Sequence, residues 1–460
     1  MVKTNKVISL LFTVFLVMCF FPVFSQDNDN APKLKINLSD DGSSYFGVMM
    51  NNQLWTRYIW NNPDKNGVEQ YSDMDLGVRR SRLTFYANLM NKAMIFTQIG
   101  YDGMTYRSER KPGINLYNVE AEYFLLGDAL HLGFGLDAKN GISRYSSNKN
   151  FEFLVVDAPG FTSPTGGTFD DFGRQLGIFA RGSISKLNYR FAITKPFEYG
   201  VDSVSSPVTT ERINENFALK GYFEWQFFDR ENAMFQQMTM NNLGRGKLLN
   251  VGLGFYYHPE AMLVEAEKDL STVDPMLAAM LIAAGSEHLL PQFADYYPSK
   301  ISDIFVAAAD VFIDMPTQKG GAVTGYFGYY YNFFGQNYLR SFGRMNVSKM
   351  SAEDALPQGP GNSEWEIGTG HIVRGEFGYL LPGNGLKNRF QPYGAFTLKK
   401  LEGLGEASAQ FDAGINWLMY GHNLKWTLQY SSRPIYTTEN EQQIWTSSKG
   451  QVILQTQIYF

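Results

Sequence analysis

Segments in which apolar and polar residues alternate recur along this chain, and they limit the folds that it can adopt. In the last ten residues, 451–460, Val452, Leu454 and Ile458 alternate with glutamines. An extended strand with this pattern carries apolar groups on one face and amides on the other. Between residue 44 and the end, we count about sixteen such segments, each bounded by turn-forming residues. An even number of strands, with the last one paired to the first, predicts a closed antiparallel β-barrel without a free edge.

The composition agrees with a barrel that has lipid outside and water inside. Aromatic residues make up 15% of the chain, glycine is abundant at 44 residues, and hydrophobic residues reach only 44%. A lipid-facing apolar surface combined with a polar lumen produces this balance. After the first 25 residues, no run of about 18 apolar residues follows that could form a spanning helix. The final strand ends on Phe460, which resembles the assembly signal of bacterial outer-membrane barrels.

The N-terminus has the pattern of a secretory signal. Lys3 and Lys6 precede an apolar run that ends near Phe21, and the small residue Ser25 follows. We therefore expect residues 1–25 to be a cleaved signal peptide, 26–43 a periplasmic tail and 44–460 the barrel. The single cysteine, Cys19, lies within the signal, so thiolate metal sites and disulfides are not expected in the mature chain. The formal net charge of -5 argues against nucleic acid as a partner.

The connections between the predicted strands alternate in length. Short turns on one side and long loops on the other are typical of outer-membrane barrels. Residues 139–173 form a long loop rich in Ser, Gly, Pro and Asp, and loops of this length are often functional. The connection 228–247 is long on the side where turns should be short, and the pattern does not explain it. Residues 258–302 interrupt the strands with two helix-forming stretches, 259–270 and 274–290, which we expect to fold over the barrel mouth or into it.

Strand parity predicts which charged side chains face the lumen. The basic set comprises Arg80, Arg82, Arg181, Arg190, Lys220, Arg374 and Lys425. The acidic set comprises Glu120, Glu122, Asp137, Glu224, Asp310, Glu376 and Asp412. Opposed charges on a pore wall would orient dipolar solutes, whereas charges that pair with each other would mainly hold the barrel round. Both interpretations stay open.

Arg80 and Arg82 are the best candidates for attracting anions, since they belong to the densest basic patch of the chain. Parity sends the neighbouring Arg79 outward, where we expect it to contact lipid headgroups. Parity also groups Tyr117 with the outward side chains of its strand. In the long loop, charged residues of both signs are candidates for a constriction: Arg144, Lys149, Glu152 and Asp157.

Several stretches resemble the phosphate-selective porin O and P family in the form found in Bacteroidetes. They are RRSRLTFYANL at 79–89, AADVFIDMP at 308–316, GTGHIVRGEFGYLLP at 368–382, PYGAF at 392–396 and GINWLMYGHNLKWTLQYSSRP at 414–434. The resemblance covers the chain from about residue 40 to the end.

This resemblance implies a sixteen-stranded barrel in the outer membrane, surrounded by lipid and assembled as a homotrimer. It also implies passive diffusion of small hydrophilic solutes, with an outer loop folded inward at 139–173. Inorganic anions such as phosphate are then candidate solutes. However, this loop carries acidic residues beside Arg144 and Lys149, so phosphate selectivity does not carry over.

The sequence also bears on three other function classes. A non-conducting structural or assembly barrel, partnering a secretion or surface complex, is the main alternative, because the insertion 258–302 could dock a partner or block the pore. A carrier of hydrophobic ligands would need an apolar lumen, which the inward polar residues oppose. An enzyme is not expected, since the five histidines show no metal spacing and no catalytic motif appears. No metal and no cofactor are expected.

Overall fold

The computed structural model of the chain describes residues 34–64, 67–105, 113–137, 141–147, 149–170, 173–197, 210–211, 215–231, 238–293, 295–343, 345, 361–439 and 442–460. The expected signal peptide 1–25 lies outside the described residues. Among the described residues, no helix is long and apolar enough to cross a membrane.

Sixteen strands form a closed antiparallel barrel, as the alternating pattern predicts. They are β1 Tyr45–Ile59, β2 Asp73–Leu89, β3 Ala93–Thr105, β4 Asn115–Asp128, β5 His131–Asp137, β6 Gln175–Ile184, β7 Leu187–Lys195, β8 Ala218–Gln226, β9 Leu248–Asp269, β10 Asp295–Pro316, β11 Ala322–Phe333, β12 Gly370–Leu380, β13 Lys387–Leu401, β14 Ser408–His422, β15 Leu424–Glu439 and β16 Gln442–Tyr459. Each strand pairs with the next, and β16 returns to β1 through pairs from Asn51↔Tyr459 to Ile59↔Gln451. The predicted closure by the last strand is therefore confirmed.

Short additional strands lie beside this barrel. Leu34–Asn37, from the segment expected to be a tail, pairs with the start of β1. Thr210–Glu211 pairs with β9. Leu339–Phe342 and Glu364–Gly368 form a separate two-stranded sheet in the connection between β11 and β12.

Polar residues face the interior and apolar residues face out, because successive side chains of a strand point to opposite faces. In β4, Glu120 and Glu122 are buried while Val119, Ala121 and Tyr123 are exposed. The connections at one end, which we call the turn end, are short, with Met90–Lys92 and Asn423 as examples. The other end, the loop end, carries most of the long connections.

Two β-bulges change the direction that parity predicts. In the pairing of β1 with β2, Gln53 faces Arg80 and Leu54 faces Val78, so Arg79 is an extra residue. In the pairing of β3 with β4, Tyr117 is extra in the same way. A bulge lets two consecutive residues point to one side. Arg79 bonds to a loop inside the barrel and Tyr117 is buried, so the outward predictions for both residues are wrong.

The stretch 259–270 was expected to be helical, but it continues β9 as far as Asp269. It pairs with the start of β10 from Met262↔Ser302 to Asp269↔Asp295, and this pairing outweighs local helix propensity. Helical turns begin only after Asp269, with a 3₁₀ turn at Leu270–Thr272, a helix at Pro275–Ala283 and a 3₁₀ turn at Glu287–Gln292. The side chains of these helical elements lack buried members. Of the two expected placements, the one inside the barrel is therefore wrong, and the one over the barrel mouth stays a prediction.

Candidate functional site

The loop between β5 and β6, within residues 139–173, folds into the barrel interior. Its backbone carbonyls accept hydrogen bonds from wall side chains of three strands. The bonds are Lys425 Nζ to Phe153 O at 2.9 Å, Asn416 Nδ2 to Leu154 O at 2.8 Å and Gln457 Nε2 to Phe151 O at 2.9 Å. Buried backbone groups need such partners. The loop is therefore held in place by the wall that it approaches.

Arg144 connects this loop to the wall and to the turn end. Its backbone N–H donates to Asp310 on β10 at 2.8 Å, and its guanidinium pairs with Glu224 on β8. Two more bonds, to Glu231 Oε2 at 2.6 Å and to the Thr239 carbonyl at 2.8 Å, reach the connection between β8 and β9. Burial works against the charge, but the carboxylates of Glu231 and Glu224 outweigh it and raise the pKa of Arg144.

The connection between β8 and β9 is unusually long for the turn end because it folds into the barrel. Its described part enters the interior from the turn end. Asn242 and Gly244 donate their backbone N–H groups to Asp314 at 3.0 and 2.8 Å. The imidazole of His422 donates to the Asn241 carbonyl at 2.8 Å. Met238 accepts a bond from the backbone N–H of Lys149 in the loop at 3.1 Å. We call residues 238–245 the inner turn, and it meets the loop inside the barrel.

Close packing of the loop on the wall is visible at Gly254 on β9. A Cβ added there would overlap the carbonyl oxygen of Ile142 in the loop. Only glycine therefore allows the loop backbone to lie this close to the strand.

We expect Gly254→Val to push the start of the loop away from β9, since forcing extra atoms into a packed site costs about 1–3 kcal/mol. The displaced loop should be cut by trypsin after Lys149 several-fold faster than in the wild-type barrel. Gly394→Ala is the control, because a Cβ there would meet only the Asp412 carbonyl at an ordinary 3.8 Å. Equal cleavage rates in both variants would show that the loop is not held at this point.

Three inward arginines of β2, at positions 79, 80 and 82, lie on the side of the wall that the loop approaches. Arg79 Nε and Arg80 Nη2 donate to the two carboxylate oxygens of Asp157, each at 2.6 Å. Arg82 Nε donates to Asp102 on β3 at 3.0 Å. The bulge at Arg79 allows the first two to share one carboxylate. This places the densest basic patch of the chain against the predicted constriction loop.

A fourth guanidinium joins this group from the end of the loop. Arg174 lies over the Tyr117 ring at 5.2 Å, and Arg82 lies over the same ring at 4.3 Å. Both also donate to Gln98 Oε1, at 3.5 and 3.3 Å. A cation over an aromatic face is stabilised by the ring quadrupole. The ring of Tyr117, the residue of the second bulge, thus stabilises the positive charges of Arg82 and Arg174.

A cavity of about 550 Å³ lies between these arginines and the loop. Its charged lining residues are Arg79, Arg80, Arg82, Arg174, Lys220, Asp102, Asp157 and Asp170. Five basic groups face three acidic ones. Burial raises the pKa of Asp170, against hydrogen bonds from Thr165 and Gly173 that lower it. The cavity is therefore positively biased.

Apart from Lys220, which lines the cavity, the remaining residues predicted to face the lumen lie elsewhere on the inner wall, and many are paired. Arg181 pairs with Glu122, with Nε 2.5 Å from Oε2. Arg374 bridges Glu376 and Asp412, each at 2.9 Å. Arg190, Lys220, Lys425, Glu120, Glu224 and Asp310 are also buried. The side chain of Asp137 lies outside the described residues.

The charged loop residues are not gathered at one point. Asp157 lies against Arg79 and Arg80, whereas Arg144 lies against β8 and β10. Lys149 and Glu152 form a partly exposed pair at 3.6 Å. The loop therefore contributes one acidic contact near the cavity and one basic contact near the inner turn.

Four contributors were missed from the sequence, namely Arg79, Asp102, Tyr117 and Arg174. The cluster RRSR at 79–82 contained a signal for the first, because a bulge is one way to bring neighbouring arginines to one face. No pattern in the sequence indicated the other three, since their partners are distant in the chain. Within the described residues, no group of three or more His, Cys, Asp or Glu side chains is arranged to hold a metal ion.

No protein-family model matches the chain, and no curated protein matches it. Among solved structures, it is similar to an anion-selective porin from Comamonas acidovorans, with 11% identity over 91% of this chain and 100% of that chain at a TM-score of 0.49. It is also similar to the outer membrane channel DcaP of Acinetobacter baumannii, with 10% sequence identity and a TM-score of 0.49. This match covers 92% of this chain and 99% of that chain. A third similar structure is OprB of Pseudomonas putida, with 8% sequence identity and a TM-score of 0.49. This match covers 90% of this chain and 94% of that chain.

Proposed function

We propose that this protein is an outer-membrane porin through which small hydrophilic solutes diffuse passively, with anions favoured. The observation that carries the proposal is the positively biased cavity of about 550 Å³ between β2 and the inward-folded loop. Fixed positive charges along a narrow aqueous path raise the local concentration of anions. By the resemblance of its motifs, we extend the proposal to a homotrimer.

The outer face of the barrel supports a membrane location. Large apolar side chains such as Phe134, Ile178, Leu253 and Phe377 are exposed there. An apolar surface of this extent in water would lead to association, whereas a bilayer covers it. The closed barrel also satisfies all strand hydrogen bonds internally, which a spanning sheet requires. The predicted signal peptide 1–25 fits export to the outer membrane.

The wall charges divide between two roles in this proposal. Paired groups such as Arg181 with Glu122 and Arg374 with Asp412 link different strands of the wall. The guanidinium groups of Arg80 and Arg82 lie on the cavity wall and act on passing anions. Both interpretations of the lumen charges therefore apply, each to different residues. Some charges hold the barrel together, and others act on solutes.

The test is the reversal potential of the purified protein in a planar bilayer under a potassium chloride gradient. We expect an anion preference in the wild-type channel. Arg82→Gln together with Arg80→Gln should lower the ratio of anion to cation permeability by about threefold or more, because two fixed charges leave the path. Lys319→Gln, at an exposed lysine in the turn between β10 and β11, is the control, because it removes a positive charge outside the inner turn and the cavity. A cation preference in the wild type, or an unchanged ratio in the double variant, would refute the proposal.

A second candidate is a non-conducting structural or assembly barrel. The observation that favours it is the contact of the loop with the inner turn, which fills part of the interior from both ends. Correctly folded protein without any conductance would favour this function over the porin.

A further inference from the structure

Resting on the proposed porin function, we propose that the cavity selects organic carboxylates that carry an apolar body, in preference to inorganic anions. The cavity joins a cationic wall to an apolar wall. An inorganic anion uses only the first of these, whereas an amphipathic anion uses both.

The cationic wall carries more positive charge than the carboxylates of the cavity lining balance. Arg79, Arg80, Arg82 and Arg174 bring four guanidinium groups together, and their carboxylate contacts within the cavity lining are Asp102 and Asp157. Arg80 is 6% exposed, and within the described residues its Nε makes no hydrogen bond, since the nearest carboxylate oxygen, on Asp102, lies 3.9 Å away. A buried guanidinium donor without a hydrogen-bond acceptor is costly. A carboxylate in the cavity would offset the excess positive charge of these guanidinium groups.

The apolar part of the lining offers little to a hydrated ion. It includes Ile142, Phe153, Pro159, Phe342 and Met345, whose side chains neither donate nor accept strong hydrogen bonds. An inorganic anion that loses water against these groups gains nothing in return. An aromatic or branched aliphatic body gains instead about 25 cal/mol for each Å² of apolar surface that it buries.

The size of the cavity agrees with this class of ligand. At about 550 Å³ it lies in the range of small-molecule sites, which are mostly apolar with a few placed polar groups. A single chloride or phosphate would leave most of this volume to water. The site therefore fits a ligand with a ring or a branched chain better than a bare ion.

The experiment compares benzoate, acetate and inorganic phosphate as blockers of the chloride current through single channels. Benzoate and acetate share the carboxylate and differ in the apolar body. We expect benzoate to block at a concentration about tenfold lower than acetate or phosphate, because the ring buries apolar surface. Ile142→Thr with Met345→Gln makes the wall polar while removing only one heavy atom, from Ile142, and it should abolish the advantage of benzoate.

Saturation-transfer NMR of benzoate with the detergent-solubilised protein gives a readout that does not need conduction. Binding that weakens in Ile142→Thr/Met345→Gln and not in Lys319→Gln supports the inference even if no current is seen. An anion-selective channel that benzoate blocks no better than acetate would overturn the inference and leave the porin function intact. Equal NMR signals in both variants would also overturn it, since that result indicates partition into detergent.

Discussion

Replacing Arg144 with methionine is expected to destabilise the folded barrel more than any other single substitution in the interior. The guanidinium is fully buried and joins three parts of the molecule, namely the loop, the wall at Glu224 and the connection at Glu231. Removing it leaves two carboxylates without their cation. Breaking a buried ion pair from one side costs about 3–5 kcal/mol. We expect the folded, heat-modifiable band on a gel to convert to the unfolded one at a clearly lower temperature.

Two further variants separate the charge from the fold. Arg245→Met changes an exposed arginine of the inner turn and should leave the conversion temperature unchanged. Adding Glu224→Gln and Glu231→Gln to Arg144→Met removes the uncompensated charges, so it should recover part of the loss. If Arg144→Met alone unfolds at the wild-type temperature, Arg144 does not hold the loop to the connection.

Shortening the connection between β8 and β9 is expected to have the largest effect on conduction. Replacing residues 231–245 with a two-residue hairpin turn removes the inner turn and its bonds to Asp314, Gln391 and His422. The interior volume that Met240 and Leu243 now fill would then be open to water. Because the current follows the cross-section of the aqueous path, single-channel conductance should rise by about twofold or more.

The matched control shortens the chain where it does not enter the barrel. Removing residues 271–293 takes away the exposed helical tip between β9 and β10 and should leave the conductance unchanged. An unchanged conductance after removal of the inner turn would mean that this turn does not border the conducting path. A protein that conducts only without the inner turn would favour the non-conducting function for the native chain.

The barrel, and the side of the wall that most strand residues face, could be predicted from local patterns; Arg79 and Tyr117 are exceptions. Glu120 and Glu122 alternate with Val119 and Ala121, and side-chain direction in a strand depends only on the residue's place in the alternation. One buried polar face and one apolar face specify the register strongly. This is why the strand count and the closure by the last strand agree with the structure.

The helix expected at 259–270 shows the limit of predicting secondary structure from local sequence. Its residues can form a helix, but the partner strand at 295–302 supplies the hydrogen bonds of a hairpin. The inner turn shows the same limit. Its direction depends on Asp314 and His422, which lie about 70 and 180 positions further along the chain, as their bonds to Gly244 and Asn241 show.

The sequence by itself determined the closed barrel, its polar interior and the position of the long loop, because these follow from a period of two and from turn chemistry. Only the tertiary structure decided which residues build the cavity. The bulges at Arg79 and Tyr117 arise from a mismatch between two paired strands, and neither strand alone contains that information. The basic wall therefore forms because strands pair with bulges, although its charged residues can be read from the sequence.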